Sequence, residues 1–290
     1  MKQRKQIARA LQNTWKIHQY LDQREHSMVF AAVNDKGEFC VIKCIDVTEF
    51  ADPFMEVLVL SRLRNIPGIT SMLTYGYAES IGHLMIQFPL MKTDLYHFVR
   101  HYRKDSVTRR NFFVENVGGL LCVLQRLHDM GIMYRDLKAE NILLDHEDYW
   151  YAHDFGNAMF VKNSGDLFMT RMANTCTHRP PECLVEHEEV AYSFEIDIWA
   201  LGITMYHVWF ATFPTLEIEL PSLERFYCHT PCEEWTHMKE IQCKHPHLHQ
   251  FFSSCLQRDP TKRLTAKQLL DLPLFRADPH PTPSIHVQST

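Results

Sequence analysis

The sequence predicts an α+β fold that begins with a small antiparallel sheet and continues mainly as helices. Three short apolar segments near the start have strand character: 15–21, 28–33 and 39–45. A turn signal, N-D-K-G at 34–37, separates the last two of these segments. Further along, residues 111–130 place apolar side chains at helical spacing along one side. A chain of 290 residues is long enough to bury a large core.

Composition is that of an ordinary soluble globular protein, with 46% hydrophobic and 22% charged residues. A net charge of −5 gives no general reason to expect binding to nucleic acid or to an anionic membrane. No apolar run reaches the roughly 18 residues that a membrane span needs, and we expect no secretory signal. Nine cysteines, an odd number, predict reduced thiols and a cytoplasmic or nuclear location.

The residues most indicative of chemistry lie between positions 132 and 156, where four polar groups stand among apolar neighbours: Asp136, Lys138, Asn141 and Asp154. The oxygen atoms of Asn141 and Asp154 can hold magnesium, which prefers hard ligands. Asp136 can orient a hydroxyl group and take its proton. Lys138 can neutralise charge on a phosphoryl group during transfer. Residues 142–144 read as a short buried strand.

This stretch resembles the catalytic region of eukaryotic-type protein kinases. Residues 134–141 read Y-R-D-L-K-A-E-N, similar to the family pattern H-R-D-L-x-x-x-N, and residues 154–156 read D-F-G. Tyr134 replaces the first histidine, as it does in some active members, and Lys138 is typical of the Ser/Thr kinases. The alternative is a helix-turn-strand with chance polar residues, but further family motifs follow in the right order.

The resemblance covers residues 15–275 and implies a bilobal protein kinase fold with a β-rich N-lobe and a mostly helical C-lobe. It also implies an ATP-dependent Ser/Thr protein kinase that uses Mg²⁺, acts on protein substrates and can depend on a regulatory partner or an activating kinase. We expect four segments, with no internal repeat: a basic extension at 1–14, an N-lobe with hinge at 15–91, a C-lobe at 92–276 and a disordered tail at 277–290. The basic extension could form an amphipathic helix, but we expect a solvated or frayed segment.

The turn that covers the ATP phosphates in kinases departs from the family pattern here. Asp22, Arg24 and Ser27 occupy the three glycine positions, and their side chains would restrict the approach of the backbone to phosphate. Asp22 and Glu25 would also repel phosphate, although Arg24 could offset some of that charge. This departure favours the alternative of a pseudokinase that acts as a scaffold.

Lys43 matches the lysine of the family motif V-A-I-K and, by resemblance, contacts the α and β phosphates. An edge-strand lysine facing solvent is the alternative. The expected partner of Lys43 in the kinase interpretation is Glu56, only 13 residues further on, in a helical pattern that covers 54–63. Glu49 is the poorer choice because it precedes Pro53.

The remaining ATP contacts are assigned by resemblance to the hinge and the two strands around the phosphate turn. Phe88 falls at the gatekeeper position, and adenine would bind the backbone of Leu90 and Met91, because Pro89 has no N–H group. Asp94 could accept a ribose hydroxyl or cap the following helix. Leu21 and Val29 complete this set.

The segment after D-F-G resembles an activation segment that ends in Pro180-Pro181-Glu182, the counterpart of A-P-E. Thr175 matches the threonine that bonds the catalytic residues in Ser/Thr kinases. The run T-C-T-H-R-P-P-E at 175–182 partly resembles cyclin-dependent and mitogen-activated kinases, which suggests a preference for Ser-Pro or Thr-Pro sites. Arg135 implies control by phosphorylation, with Thr170 as the candidate acceptor or simply a solvated loop residue.

Two structural contacts are also implied by the family motifs. Asp197, in D-I-W-A-L-G, should hold the backbone of the catalytic loop, and Arg263 should pair with Glu182. The compact size and the hinge sequence P-L-M-K-T-D-L-Y resemble kinases of large DNA viruses, including herpesviruses.

A cluster of cysteine and histidine residues at 228–249 lies outside the kinase pattern: Cys228, Cys232, His237, Cys243, His245, His247 and His249. Its spacing suits zinc loosely. A helical connector with free cysteines and surface histidines is the alternative, and the spacing favours that alternative.

Overall fold

The computed structural model describes residues 7, 15–23, 27–48, 52–101, 106–161, 168–170, 176–184, 190–215 and 219–276. A five-stranded sheet forms the N-lobe, and the remaining described residues form a mainly helical C-lobe. The predicted α+β class is therefore confirmed. No helix in the described part of the chain has the length and apolar character to cross a bilayer. The four segment boundaries, including the tail at 277–290 outside the described residues, stay predictions.

The strands of the N-lobe sheet are β1 (Lys16–Gln23), β2 (Ser27–Val33), β3 (Phe39–Asp46), β4 (Thr74–Ala78) and β5 (His83–Pro89). All neighbouring strands run antiparallel in the order β1-β2-β3-β5-β4. Helix α1 (Met55–Arg62) packs its buried residues against one face of this sheet. Lys43 pairs with Ile86 across β3 and β5, so its side chain lies on the face that α1 covers.

The opposite face of the sheet is covered from the N-terminal side. Ile7 is only 1% exposed and packs with Trp15, Phe30 and Ile42 in one apolar cluster. The indole N–H of Trp15 donates to the side chain of Gln87 at 3.1 Å. The expectation of a solvated extension is therefore wrong at Ile7, because the sheet offers an apolar face that needs a cover.

We expect Ile7→Ala to reduce the free energy of unfolding by about 2–5 kcal/mol, since a fully buried isoleucine loses its packing and leaves a cavity. The control is Leu58→Ala on α1, where the side chain is 46% exposed, and this change should stay within about 0.5 kcal/mol. Chemical denaturation of both variants makes the comparison. Equal stability of the two variants would show that Ile7 is not part of the N-lobe core.

The C-lobe is built around two long helices, α3 (Ser106–Asp129) and α4 (Glu195–Phe210). Every residue of α4 from Ile196 to His207 is buried, so this helix runs through the centre of the lobe. The other helices are α2 (Leu95–His101), α5 (Leu220–His229), α6 (Met238–Lys244), α7 (Pro246–Cys255), α8 (Ala266–Leu270) and α9 (Pro273–Arg276). One apolar cluster extends from α1 and the inner face of the sheet through the C-lobe.

Short strands of the C-lobe flank the polar residues between positions 132 and 156. β8 (Ile142–Leu144) lies between β6 (Thr93–Asp94) and β9 (Trp150–Ala152), which confirms the predicted strand. β7 (Ile132–Met133) pairs with β10 (Met159–Phe160). β11 (Phe168–Thr170) pairs with β12 (Val190–Tyr192), a pairing that the sequence did not predict.

Candidate active site

The catalytic loop is fixed by the buried carboxylate of Asp197 in the first turn of α4. This carboxylate accepts hydrogen bonds from the backbone N–H groups of Tyr134 at 2.9 Å and Arg135 at 2.8 Å. His128 Nε2 lies 2.9 Å from the same group. Arg135 has a φ of 68°, a left-handed conformation that costs free energy in a non-glycine residue. The contacts to Asp197 hold the loop in this strained form.

Asp136 is buried at the centre of the loop, and two neighbours fix its side chain. Asn141 Nδ2 donates to the Asp136 carboxylate at 2.9 Å and to the Asp136 carbonyl at 2.8 Å. Lys138 Nζ lies 3.0 Å from the same carboxylate. The Asp136 carboxylate, the Lys138 ammonium and the Asn141 carboxamide are therefore adjacent, as the kinase resemblance implies.

Tyr134 links the catalytic loop with the residue before the D-F-G motif through its hydroxyl group. The hydroxyl proton faces two carbonyl oxygens, that of Asn141 at 3.2 Å and that of His153, which precedes Asp154. Its ring lies 4.9 Å from the ring of Phe155. Burial and the nearby carboxylates raise the pKa of Tyr134 well above its usual value, so the hydroxyl stays a donor.

Lys43 bridges two carboxylates at the junction of the lobes. Its Nζ lies 2.7 Å from Glu56 on α1 and 2.7 Å from Asp154 of the D-F-G motif. Burial alone would lower the pKa of Lys43, but the charges of Asp154 and Glu56 outweigh it and raise the pKa. Lys43 thus stays an ammonium in a cleft where phosphate would need a positive charge.

The residues around this bridge suit a magnesium nucleotide. Asn141 turns its amide nitrogen to Asp136, so its amide oxygen is the atom that can bind a cation. Asp154 supplies carboxylate oxygen atoms nearby in the D-F-G motif and has a φ of 61°. Gly156 lies against the cluster, because an added Cβ would lie 3.4 Å from Asp154 and 3.8 Å from Lys43. Hard oxygen donors beside an ammonium fit this group.

The hinge follows strand β5, and the contacts of Leu90 and Met91 with adenine stay predictions. Phe88 is buried, and its ring meets the ring of His153 edge to face at 4.7 Å. Leu90 is exposed just beyond the end of β5 and precedes Met91. Asp94 accepts the backbone N–H of His97 at 2.8 Å, so it caps α2. Its contact with ribose stays a prediction.

The strands on either side of the phosphate turn carry two of the three residues at the glycine positions. Asp22 lies near the end of β1, where its carboxylate accepts the backbone N–H of Gln23 at 2.8 Å. Ser27 begins β2. Leu21 is 44% exposed, and Val29 pairs with Lys43 on β3. Arg24, Glu25 and His26 lie outside the described residues.

Residues 176–182, termed the substrate segment, lie beside the catalytic loop. His178 is buried, and its pKa is lowered to about 3 by burial, with smaller contributions from Lys138 and His207. At the end of the segment, Arg263 makes a bidentate pair with Glu182 at 2.6 and 2.7 Å. Its guanidinium lies 5.0 Å from the centre of the Trp199 ring. The segment is thus fixed to the core of the C-lobe.

Several predicted positions have other outcomes. Thr170 ends strand β11 and pairs with Val190, so its backbone is not part of an unpaired loop. Thr175 and Glu49 lie outside the described residues. Arg135 contacts the carbonyl of Asn157 at 3.4 Å and lies 5.6 Å from the Tyr192 ring.

The cysteine and histidine cluster at 228–249 does not converge in space. Cys232 is buried, whereas Cys243 is exposed. The ring of His237 stacks on Phe210 at 4.7 Å, and the ring of His245 meets Trp209 at 5.8 Å. In the part of the chain that the structure describes, no group of three or more possible ligands could hold a metal ion. The zinc interpretation therefore has no geometric support.

Sequence reasoning missed three contributors to the site: His128, His153 and Tyr227. His128 lies a few residues before the catalytic-loop motif, and His153 directly precedes the D-F-G motif. This nearness to a motif in the sequence was the available signal. Tyr227 lies on α5 and reaches a backbone carbonyl 50 residues away. A carbonyl acceptor is present at every residue, so the sequence carries no signal for that contact.

Comparison with known proteins identifies the family. A family model of the protein kinase domain matches residues 15–275, and the chain belongs to this family. A probable cyclin-dependent serine/threonine-protein kinase of Dictyostelium discoideum is 27% identical over 78% of this chain and 38% of its own length. A probable serine/threonine-protein kinase of Encephalitozoon cuniculi is 25% identical over 88% and 43%, respectively. A serine/threonine-protein kinase of Saccharomyces cerevisiae is 29% identical over 86% and 22%.

The chain thus spans less than half the length of each of these relatives. The relatives are named as serine/threonine kinases, and the matched region includes both lobes and the cleft between them. The family generally uses ATP and Mg²⁺ and acts on protein substrates.

Proposed function

We propose that this protein is a serine/threonine kinase that transfers the γ-phosphate of ATP to Ser or Thr hydroxyl groups of protein substrates. The observation that carries the proposal is the double bridge of Lys43 to Glu56 and Asp154 at 2.7 Å each. A buried ammonium at the junction of two lobes costs free energy unless opposite charges pair with it. Here the pairing orders Lys43 beside the oxygen ligands that a magnesium nucleotide would use.

In this proposal the chain contributes mainly orientation and charge. Asp136 accepts the proton of the substrate hydroxyl, while Asn141 and Lys138 keep the carboxylate in one orientation. Lys138 also offsets charge on the phosphoryl group as it moves. Asn141 and Asp154 would hold Mg²⁺, which supplies charge neutralisation at the phosphates when bound.

Transfer of label from the γ-phosphate of ATP to protein substrates tests the proposal. The protein, ATP, Mg²⁺ and a mixture of generic protein substrates are incubated, and the labelled amino acids are then identified. Label on phosphoserine and phosphothreonine is expected. Label on tyrosine alone would contradict the Ser/Thr assignment, and no label on any substrate would favour the scaffold alternative.

The pseudokinase scaffold is the second candidate, and the phosphate turn is the observation that favours it. Asp22 carries a negative charge near the end of β1, and Ser27 replaces a further glycine at the start of β2. Both features oppose a close approach of phosphate to the backbone. The retained set Lys43, Asp136, Asn141 and Asp154 favours the active kinase.

The double variant Asp22→Gly with Ser27→Gly is expected to bind ATP about fivefold more tightly, roughly 1 kcal/mol. The reason is that a carboxylate is removed and the turn gains freedom to close on phosphate. Calorimetric titration with ATP and Mg²⁺ measures the change. The matched control is Asp35→Gly, which alters the exposed turn between β2 and β3 and should leave affinity unchanged. Equal or weaker binding in the double variant would mean that this turn does not limit nucleotide affinity.

Control by phosphorylation is a further part of the proposal. Thr170 is the proposed acceptor, and its strand β11 pairs with β12, which ends at Tyr192. The guanidinium of Arg135 lies near the Tyr192 ring, so the two strands connect the acceptor with the arginine of the catalytic loop. This connection supports an activating kinase as a partner.

A relative named as cyclin-dependent supports similarity to that group and a preference for Ser-Pro or Thr-Pro sites. Nine cysteines without a disulfide bond among them support a cytoplasmic or nuclear location. An origin in a large DNA virus stays a prediction from the hinge sequence.

A further inference from the structure

Helix α5 makes two consecutive contacts with the backbone of the substrate segment. The hydroxyl of Tyr227 donates to the carbonyl of Thr177 at 3.0 Å. The thiol of the next residue, Cys228, lies 3.7 Å from the carbonyl of Pro181. The two contacts lie on either side of Arg179, which is partly exposed.

The side chain of Tyr227 is rigidly held. It is fully buried, and its ring lies 5.4 Å from Trp199 and 5.6 Å from Trp235. Burial raises the pKa of Tyr227, so the hydroxyl remains a hydrogen-bond donor at neutral pH. A fixed donor of this kind determines where the Thr177 carbonyl can lie.

The other end of the substrate segment is fixed independently by the pair of Arg263 with Glu182. Between these two anchors, His178 is buried against Phe213, with ring centroids 5.7 Å apart. Cys176, Thr177 and Arg179 stay partly exposed. The segment therefore has a fixed inner side and an accessible outer side next to the catalytic loop.

We infer that Tyr227 is a positioning residue which holds the substrate segment in the form that binds a protein substrate. The inference rests on the proposed kinase activity and assigns peptide affinity, rather than the chemical step, to this hydrogen bond. Lys43 and Asp136 are held by other groups, so loss of the Tyr227 hydroxyl should leave nucleotide binding and transfer intact.

The test is Tyr227→Phe, which removes the hydroxyl and keeps the ring. A neutral hydrogen bond contributes about 0.5–1.5 kcal/mol, so KM for a peptide substrate should rise between about twofold and about thirteenfold. We expect kcat and KM for ATP to stay within about twofold. Hydrogen exchange of peptides that cover 176–182 should become faster, and this readout needs no activity.

Tyr206→Phe is the matched control, because Tyr206 lies in the same aromatic cluster, 5.9 Å from Trp235. Its hydroxyl forms no hydrogen bond with the substrate segment as the structure describes it, so peptide KM and exchange should not change. An unchanged peptide KM in Tyr227→Phe, or a decrease confined to kcat, would overturn the inference. Phosphoryl transfer by the wild-type protein in the same experiment would leave the proposed function in place. Absence of transfer by the wild-type protein would overturn the proposed function itself. Unaltered exchange at 176–182 would independently exclude a positioning role.

Discussion

Asp136→Asn is expected to lower the rate of phosphoryl transfer by at least about a hundredfold, the lower range for loss of a general base. The amide cannot accept the proton of the substrate hydroxyl, although it has nearly the same shape as the carboxylate. Asn141 and Lys138 both orient this side chain in the wild-type protein. The fold should persist because Asp197, not Asp136, holds the backbone of the loop.

Initial rates and melting temperature are measured together for this variant. Asp148→Asn is the control, since Asp148 forms a partly exposed pair with Lys92 on the surface, and its rate should match that of the wild type. An Asp136→Asn variant that transfers phosphate at the wild-type rate would show that another group accepts the proton.

Arg263→Met is expected to reduce the free energy of unfolding by about 3–5 kcal/mol, because removal of one partner leaves a largely buried carboxylate unpaired. Glu182 would lose both of its hydrogen bonds to the guanidinium. The carbonyl of Gln257, which accepts from Arg263 Nε at 2.8 Å, would also lose its donor.

The chain offers a matched control for this effect in Arg276→Met. Arg276 pairs with Asp271 at 2.6 Å, but both side chains are more than 60% exposed, and such pairs contribute about 0–1 kcal/mol. Urea denaturation should separate the two variants clearly. If they lose equal stability, the Glu182 pair does not anchor the substrate segment to the C-lobe.

The local features of the site could be predicted because short stretches of sequence carry the apolar pattern and the family motifs. Strand β8 follows from a run of apolar residues, and the contact of Asp197 with the catalytic loop was implied by the kinase resemblance. The resemblance also implied a glutamate partner for Lys43, and the helical pattern selected Glu56. In each case a short stretch of residues carries enough information to fix the geometry.

The remaining features depend on packing between distant segments. Burial of Ile7 is determined by the apolar outer face of a sheet whose strands continue to residue 89. The pairing of β11 with β12 joins segments about 20 residues apart with no turn signal to indicate it. At 228–249 the sequence favoured a helical connector over a zinc site, and in the described residues no group of three or more possible ligands could hold a metal ion.

Phosphoryl transfer by this protein can be followed in a single-turnover reaction with protein in excess over γ-labelled ATP and a fixed peptide substrate. We expect label to move from ATP to a serine or threonine of the peptide in the wild-type protein and in Asp148→Asn. We expect no measurable movement in Asp136→Asn on the same time scale. Retention of all label on ATP by the wild-type protein, with nucleotide and peptide both bound, would show that the protein is not a Ser/Thr kinase of this peptide class.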